Sequence, residues 1–400
     1  MVHSTRKKAI CKPPKPYTDF PLFAHATKRW AKKIKGKLYY FGPWDDPSGA
    51  LEKFKAQREA LYSRVTPRLT PGELTIRHLV NTFLTAKKAR TESGELTIRS
   101  WKDYHATCER IVQFFGRQRL VEDIGPRDFD SFRSKLAKLW GPTTLGNEIR
   151  RIRVVFNYAY KHDLLDRPVK FGDFTPPSRK VMRLNRAKKG PRMFEAAELR
   201  KIIDAAGVQL RAMIYLGINA GFGNADCARL PRKALDHKKG WISLARSKTG
   251  ISRKAPLWPE TVKALRDALH NRPTPKNKAD KGLVFITRCG GPWGHCILKA
   301  IDKKTGKPEI SLDDPIAKEF SKLVRALKLH RSGLGFYALR HGFETIAGES
   351  RDQPAVDFIM GHIPGVNDMG AVYRERISDE RLKAVVDHVH KWLFETEKKQ

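Results

Sequence analysis

The spacing of apolar residues changes character along the chain, and the changes divide it. Over residues 1–66 the informative stretch is "PLFAHATKRWAKKIKGKLYYFGPWDDPSGALEKFKAQREALYSR". Its first half alternates apolar with basic residues around Lys35-Gly36 and Gly42-Pro43, which predicts a short three-stranded sheet; its second half turns to helical spacing. From 70 to 178 the pattern is helical. "TIRHLVNTFLTAKKAR", "TIRSWKDYHATCERIVQFFG", "RDFDSFRSKLAKLW" and "PTTLGNEIRRIRVVFNYAYKHDLL" repeat apolar positions at three and four and stop at Gly or Pro, predicting a compact helical bundle. Residues 179–190 are dense in cations and poor in large apolar side chains, so they read as an extended basic strap. From 191 to 400 helical spacing returns, interrupted by "WISLARSKTGISRKAPLW", whose alternation around Lys-Thr-Gly predicts a β-hairpin with Lys248 at its tip. The chain closes on an amphipathic helix with Leu382, Val385, Val386, Val389, Trp392 and Leu393 on one face. The fold class is mainly α with small β elements, in three domains joined by a basic linker.

Charge narrows the partner. Lys plus Arg number 79 against 42 acidic residues, a formal net charge of +37. Solubility asks for a magnitude of only about 2–8 in a small domain, so the surplus is the footprint of a polyanion, with double-stranded DNA the natural partner. No apolar run is long enough to span a bilayer, and the N-terminal segment lacks a signal-peptide core, so a cytoplasmic protein without membrane contact is expected. The cysteines, Cys11, Cys108, Cys227, Cys289 and Cys296, are odd in number and scattered, giving no disulfide framework and no paired zinc spacing. Cys289, His295 and Cys296 cluster in "RCGGPWGHCIL", but a fourth ligand is not evident and no metal is assigned.

The last quarter carries the chemistry. "YALRHGFETIA", "FIMGH" and "GAVYRERI" set Tyr337, Arg340, His341, His362 and Tyr373 on consecutive short helical segments. An Arg offers phosphate oxygens a planar fork of donors, His holds or moves a proton near neutral pH, and Tyr can form a covalent phosphoryl bond. In order and approximate spacing this set resembles the catalytic boxes of the tyrosine recombinases, the phage integrase family. The resemblance implies that Tyr373 is the nucleophile, that Arg340 clamps the phosphate, that His341 and His362 assist, and that Lys248 protonates the leaving 5′ oxygen. Tyr337 stands where the family usually has His, and its phenol can still donate a hydrogen bond.

The first box departs from the family. "GINAGFGNADCARLP" keeps Gly221, Phe222 and Asp226 in register, but Gly223 occupies the position of the first catalytic arginine. Loss of one preorganised oxyanion donor costs about 3–4 kcal/mol, or roughly 10²–10³ in rate. Arg229, one helical turn past Asp226, is a candidate substitute on helical spacing.

The resemblance further implies an arm-type DNA-binding domain over 1–66, with Arg29, Lys33, Lys35 and Lys37 on its outer sheet face, and a core-binding domain of SAM-like type over 70–178. Arg150, Arg151 and Arg153 would face the DNA backbone there, as would Arg183, Arg186, Lys188 and Lys189 of the linker 179–190. The catalytic domain would occupy 191–400, with its last helix docked on its own domain or on a neighbouring protomer. The implied activity is site-specific recombination in a tetramer on DNA through a 3′-phosphotyrosine, needing no cofactor. The alternative is an integrase-derived DNA-binding protein whose catalysis is weakened or lost at Gly223.

Overall fold

Turn chemistry and alternation build the N-terminal elements of the computed structural model, which describes residues 12–62, 74–246, 249–301, 308–362, 370 and 373–395. Strands β1 (Phe23–His25), β2 (Arg29–Ile34) and β3 (Lys37–Pro43) form an antiparallel sheet in that order. Lys35 and Gly36 join β2 to β3 with φ of 45° and 85°, the two left-handed positions that a tight hairpin turn requires. The expected sheet is therefore present, although Gly42-Pro43 closes β3 instead of forming a turn. Helix α1 (Pro47–Tyr62) covers one face, burying Ala50, Phe54 and Leu61 against Trp30, Ile34 and Phe41. A Cβ on Gly42 would lie 3.0 Å from that of Ala50, so the small residue is what lets the helix approach the strand.

The expected helices follow as α2 (Ile76–Glu92), α3 (Ile98–Phe115), α4 (Pro126–Leu139) and α5 (Pro142–Lys161). Thr75 caps α2 by accepting from the His78 amide, and α4 and α5 each begin with a proline, whose missing N–H costs nothing in a first turn. Their apolar faces meet in an aromatic core that includes Phe83, Phe115, Phe129, Phe132, Phe156 and Phe174. The chain divides into two compact units, 1–93 with 103–176 and 94–102 with 177–400.

The second unit opens on a correction. Residues 179–187 are not an extended strap: Arg179–Ala187 form helix α6, with all side chains at least partly exposed. Ser178 caps it by accepting from the Val181 amide, and the Arg, Lys, Met and Leu side chains, not branched at Cβ, favour helix without needing a buried face. Helices α7 (Ala196–Ala205) and α8 (Val208–Ala220) follow, and α8 is buried almost all round, as a central helix must be. After the short helix α9 (Asn224–Ala228), strands β4 (Leu235–Asp236), β5 (Trp241–Ser243) and β6 (Lys254–Pro256) form a second antiparallel sheet. Around them lie α10 (Pro259–His270), the pair β7 (His295–Ile301) and β8 (Pro308–Asp313), and α11 (Pro315–Ala326). Helices α12 (Ala338–Gly348), α13 (Gln353–Met360) and α14 (Asp379–Phe394) complete the unit.

Helix α14 packs on its own unit. Leu382, Val385, Val386, Val389 and Leu393 are buried, and the Trp258 indole donates to the Val386 carbonyl at 3.0 Å. Among the described residues no helix is long and apolar enough to cross a membrane.

Candidate active site

Arg340 lies in the first turn of α12 and is only 3% exposed. Its Nη1 donates to the Gly221 carbonyl, and its Nη2 donates to the Met360 carbonyl at 2.8 Å. Those acceptors end α8 and α13, where carbonyls lack intrahelical partners and the helix dipoles are negative. A cation between two helix C-termini is thus fixed in direction before any ligand arrives. Burial, then the neighbouring Arg246, lower its pKa to about 10, which leaves it charged at neutral pH.

The Gly221–Asp226 loop shows what the departure at 223 means in space. Gly223 has ordinary extended backbone and caps α9, its amide donating to Asp226 Oδ2 at 2.9 Å. A Cβ on Gly223 would meet the Tyr337 ring at 3.1 and 3.3 Å, so the two positions where the expected pattern breaks are neighbours in space. Tyr337 is half-exposed and stands edge-on to His341 at 5.4 Å between ring centres. Desolvation first, then Arg192, Arg186 and Arg340, lower the pKa of His341 and favour its neutral form.

The other Asp226 oxygen holds a residue the sequence reading missed. Arg253 Nη2 lies 2.9 Å from Asp226 Oδ1, its Nε donates to the Leu244 carbonyl, and its guanidinium sits 3.9 Å over the Phe222 ring. At 3% exposure it is a buried, paired cation, and desolvation lowers its pKa against the pull of Asp226. The expected substitute, Arg229, lies elsewhere in character: α9 ends at Ala228, and Arg229 is its exposed C-cap, no longer one helical turn along a continuing helix. The charges that act most on Arg340 are Arg246, Tyr337, Asp226 and Arg253.

The predicted hairpin is present, with Trp241 opposite Pro256, Ile242 opposite Ala255 and Ser243 opposite Lys254. Lys248, at its expected tip, lies outside the described residues. Residues on either side are docked on one carbonyl: Arg246 Nη1 and Thr249 Oγ1 donate to Gly361 O at 3.2 and 3.3 Å. Gly361 ends α13 at φ 63°, and a Cβ there would lie 3.1 Å from that of Arg246, so backbone and packing both call for glycine.

His362 follows directly. Its Nδ1 is 3.0 Å from Asp357 Oδ1 and 3.7 Å from Glu344 Oε2. A carboxylate only accepts, so Nδ1 carries the proton and Nε2 is the atom left for a substrate. These three residues bring ligand atoms within 4.8 Å of one another, but Gln353 already donates to both carboxylates at 3.1 Å, and the cluster is accounted for as a holder of the imidazole. Asp357 and Glu344 were not read from the sequence, because only the fold brings them to His362. Tyr373 is 75% exposed.

Of the expected DNA-facing cations, Arg29, Lys33 and Lys35 are exposed, and the side chain of Lys37 lies outside the described residues. Arg150 is exposed, and its Nη1 donates to Asn147 Oδ1 at 3.1 Å. The other two on α5 serve the bundle. Arg151 reaches Asp103 at 2.7 Å and shares the buried Glu148 with Arg110, while Arg153 donates to the Phe174 carbonyl and lies 4.5 Å over Phe171. Arg183, Arg186, Lys188 and Lys189 are all exposed. Cys108 and Cys227 are buried free thiols with pKa values pushed up chiefly by desolvation, as packed apolar residues should be; Cys289 is a free, exposed thiol.

Residues 188–365 match the phage integrase family. The chain is similar in fold to a lambda integrase dimer bound to a COC' core site, at 15% identity and a TM-score of 0.52, covering 94% of this chain and 99% of that one. It is also similar to the Tn1549 transposon integrase in complex with transposon right end DNA, at 16% identity and a TM-score of 0.55, covering 79% and 100%. A third likeness is to a lambda integrase tetramer bound to a Holliday junction, at 14% identity and a TM-score of 0.51, covering 90% and 98%. Among curated proteins, none matches this chain.

Proposed function

We propose that this chain, whose residues 188–365 match the phage integrase family, is a tyrosine recombinase: a site-specific DNA recombinase that cuts and rejoins strands through Tyr373. The Tyr373 hydroxyl attacks the scissile phosphorus and passes its proton to His341 or His362, the bond to the 5′ oxygen breaks, and Lys248 supplies the proton that the new 5′ hydroxyl needs. Attack by the hydroxyl of a partner strand on the 3′-phosphotyrosine then reseals the duplex and releases the tyrosine. Bond energy is conserved in the phosphotyrosine, so this chemistry requires no cofactor.

One observation supports the reading most strongly. Tyr337, His341 and the residues preceding His362 gather around the Arg340 guanidinium, already directed by two helix-end carbonyls. Arg340 clamps non-bridging oxygens, His362 offers Nε2, and neutral His341 and the Tyr337 phenol offer further hydrogen bonds. The sheet domain and helical bundle would hold the arm and core sites of the duplex, with Arg29, Lys33, Lys35, Arg150 and the exposed cations of α6 on phosphates. Similar chains are seen as a dimer and as a tetramer on DNA, and a tetramer at the synapse is the assembly proposed here. Gly223 motivates the second reading, an integrase-derived DNA-binding protein whose catalysis is weakened or lost.

A DNA duplex nicked just beyond the scissile phosphate tests the two. Loss of the short fragment traps the adduct, so the wild-type protein should accumulate a denaturant-resistant protein–DNA complex. Tyr373→Phe should give none while binding DNA equally well. An adduct in that variant would move the nucleophile elsewhere, and none in wild type would favour the silent binder.

A further inference from the structure

The recombinase reading leaves a charge unaccounted for at Gly223, and three arginines compete to supply it. Arg229 is exposed on the C-cap of a five-residue helix and is not among the groups that act most on Arg340. Arg253 is close, but its charge is matched by Asp226 at 2.9 Å and its guanidinium is buried on Phe222. A phosphate would have to displace both to reach it. Arg246 differs from each: it is half-buried, it precedes the hairpin tip, and it makes no ion pair among the described residues.

Its position is specific. Arg246 Nη1 donates to Gly361 O, and Arg340 Nη2 donates to Met360 O, so the two guanidinia stand on consecutive carbonyls at the end of α13. His362, the next residue, is held by Asp357 with Nε2 left for a substrate. Among the described residues only one nitrogen of Arg246 is engaged, which leaves a two-nitrogen edge for an anion. Like charges placed so near each other repel, and Arg246 is the leading charge that depresses the pKa of Arg340. Such a pair is costly in the free protein and is relieved by an anion that both cations share.

Resting on the recombinase reading, we propose that Arg246 is the second cationic clamp on the scissile phosphate, supplying from the hairpin the charge that position 223 no longer carries. Tyr337 then packs against Gly223, where the side chain of an arginine would begin. The phosphate is held from the α12 side by Arg340 and from the hairpin side by Arg246, and no proton moves through either.

The test uses the full chain and two nicked duplexes, one with the natural scissile phosphate and one with a methylphosphonate there. Replacing a non-bridging oxygen by methyl removes the negative charge and with it the demand for a second cation. On the phosphate, Arg246→Ala should slow adduct formation about 10²–10³-fold, Arg246→Lys should recover part of the rate, and Arg229→Ala should behave as wild type. On the methylphosphonate, the deficit of Arg246→Ala should shrink to about tenfold or less, one decade corresponding to 1.4 kcal/mol of barrier. Melting temperature and DNA affinity at fixed salt identify a variant that has merely unfolded, and Arg246→Gln supplies a polar replacement in that case. Equal rates for wild type and Arg246→Ala on phosphate would overturn the clamp, as would a deficit unchanged on methylphosphonate. Loss confined to Arg229→Ala would transfer the role to Arg229. No adduct from wild type on either duplex would remove the recombinase reading itself, and the clamp with it.

Discussion

Arg340 and Tyr373 stand at opposite extremes, 3% and 75% exposed, although one reaction is proposed to need both. The arginine is fixed by the ends of two helices, one of which follows it and one of which precedes it by more than a hundred residues. The tyrosine lies open to solvent. The contrast follows from what each does: an electrostatic clamp gains by being directed in advance, because it then pays no reorganisation as charge develops, whereas a nucleophile must be reached by a polymer as large as DNA.

Breaking the fixed end should give the largest effect. Arg340→Ala removes the clamp and also leaves the Gly221 and Met360 carbonyls without their donor inside the protein. Each buried unpaired group costs about 1–3 kcal/mol, so a fall of several kcal/mol in denaturant stability is expected beside a loss of cleavage of at least about 10²-fold. Tyr373→Phe, by contrast, should leave stability untouched. If Arg340→Ala unfolds at the wild-type midpoint, the two carbonyl bonds do not hold α8 and α13 together.

The same contrast explains what was legible in the sequence. The hairpin strands could be read because their alternation is local, and the box residues could be proposed because their order is linear. Arg246 and Arg253 could not, since their meaning lies in Gly361, 115 residues from Arg246, and in an Asp226 already assigned to the first box. Helix α6 was misread because the absence of an apolar face was taken for the absence of helix, although the cap and propensity were present. Linear order cannot reveal the Asp103 and Phe174 partners that other segments bring to Arg151 and Arg153, residues expected to face the DNA backbone.

A smaller effect should sharpen the comparison within the first box. Gly223→Arg installs the arginine that the resemblance led us to expect, yet its Cβ would sit 3.1 Å from the Tyr337 ring. Crowding of this kind costs about 1–3 kcal/mol, here toward the lower end because the ring is half-exposed, and cleavage should not accelerate while Arg246 supplies the charge. Tyr337→His in the same chain should relieve the contact, giving a coupling of about 0.5–3 kcal/mol between the two positions. Strict additivity in thermal or denaturant unfolding would mean that Gly223 and Tyr337 are independent departures.

The smallest expected effect concerns the charge that the fixed side of the site imposes on His341. Desolvation and the nearby Arg192, Arg186 and Arg340 lower its pKa from the ordinary 6.5, so between the lowered value and 6.5 the folded chain binds fewer protons than the unfolded one. Stability is therefore complete above pH 6.5 and declines as the pH falls through that window. His341→Gln removes the titrating group but keeps a polar side chain, so wild type should lose more stability than the variant between pH 7.5 and 5.5. Because His341 is partly exposed, screening should keep the difference below about 1 kcal/mol. A clear result needs matched melting curves of the two proteins at both pH values; a wild type that gains on the variant as the pH falls would show that His341 is stabilised in its charged form, and that the arginines around Arg340 do not govern it.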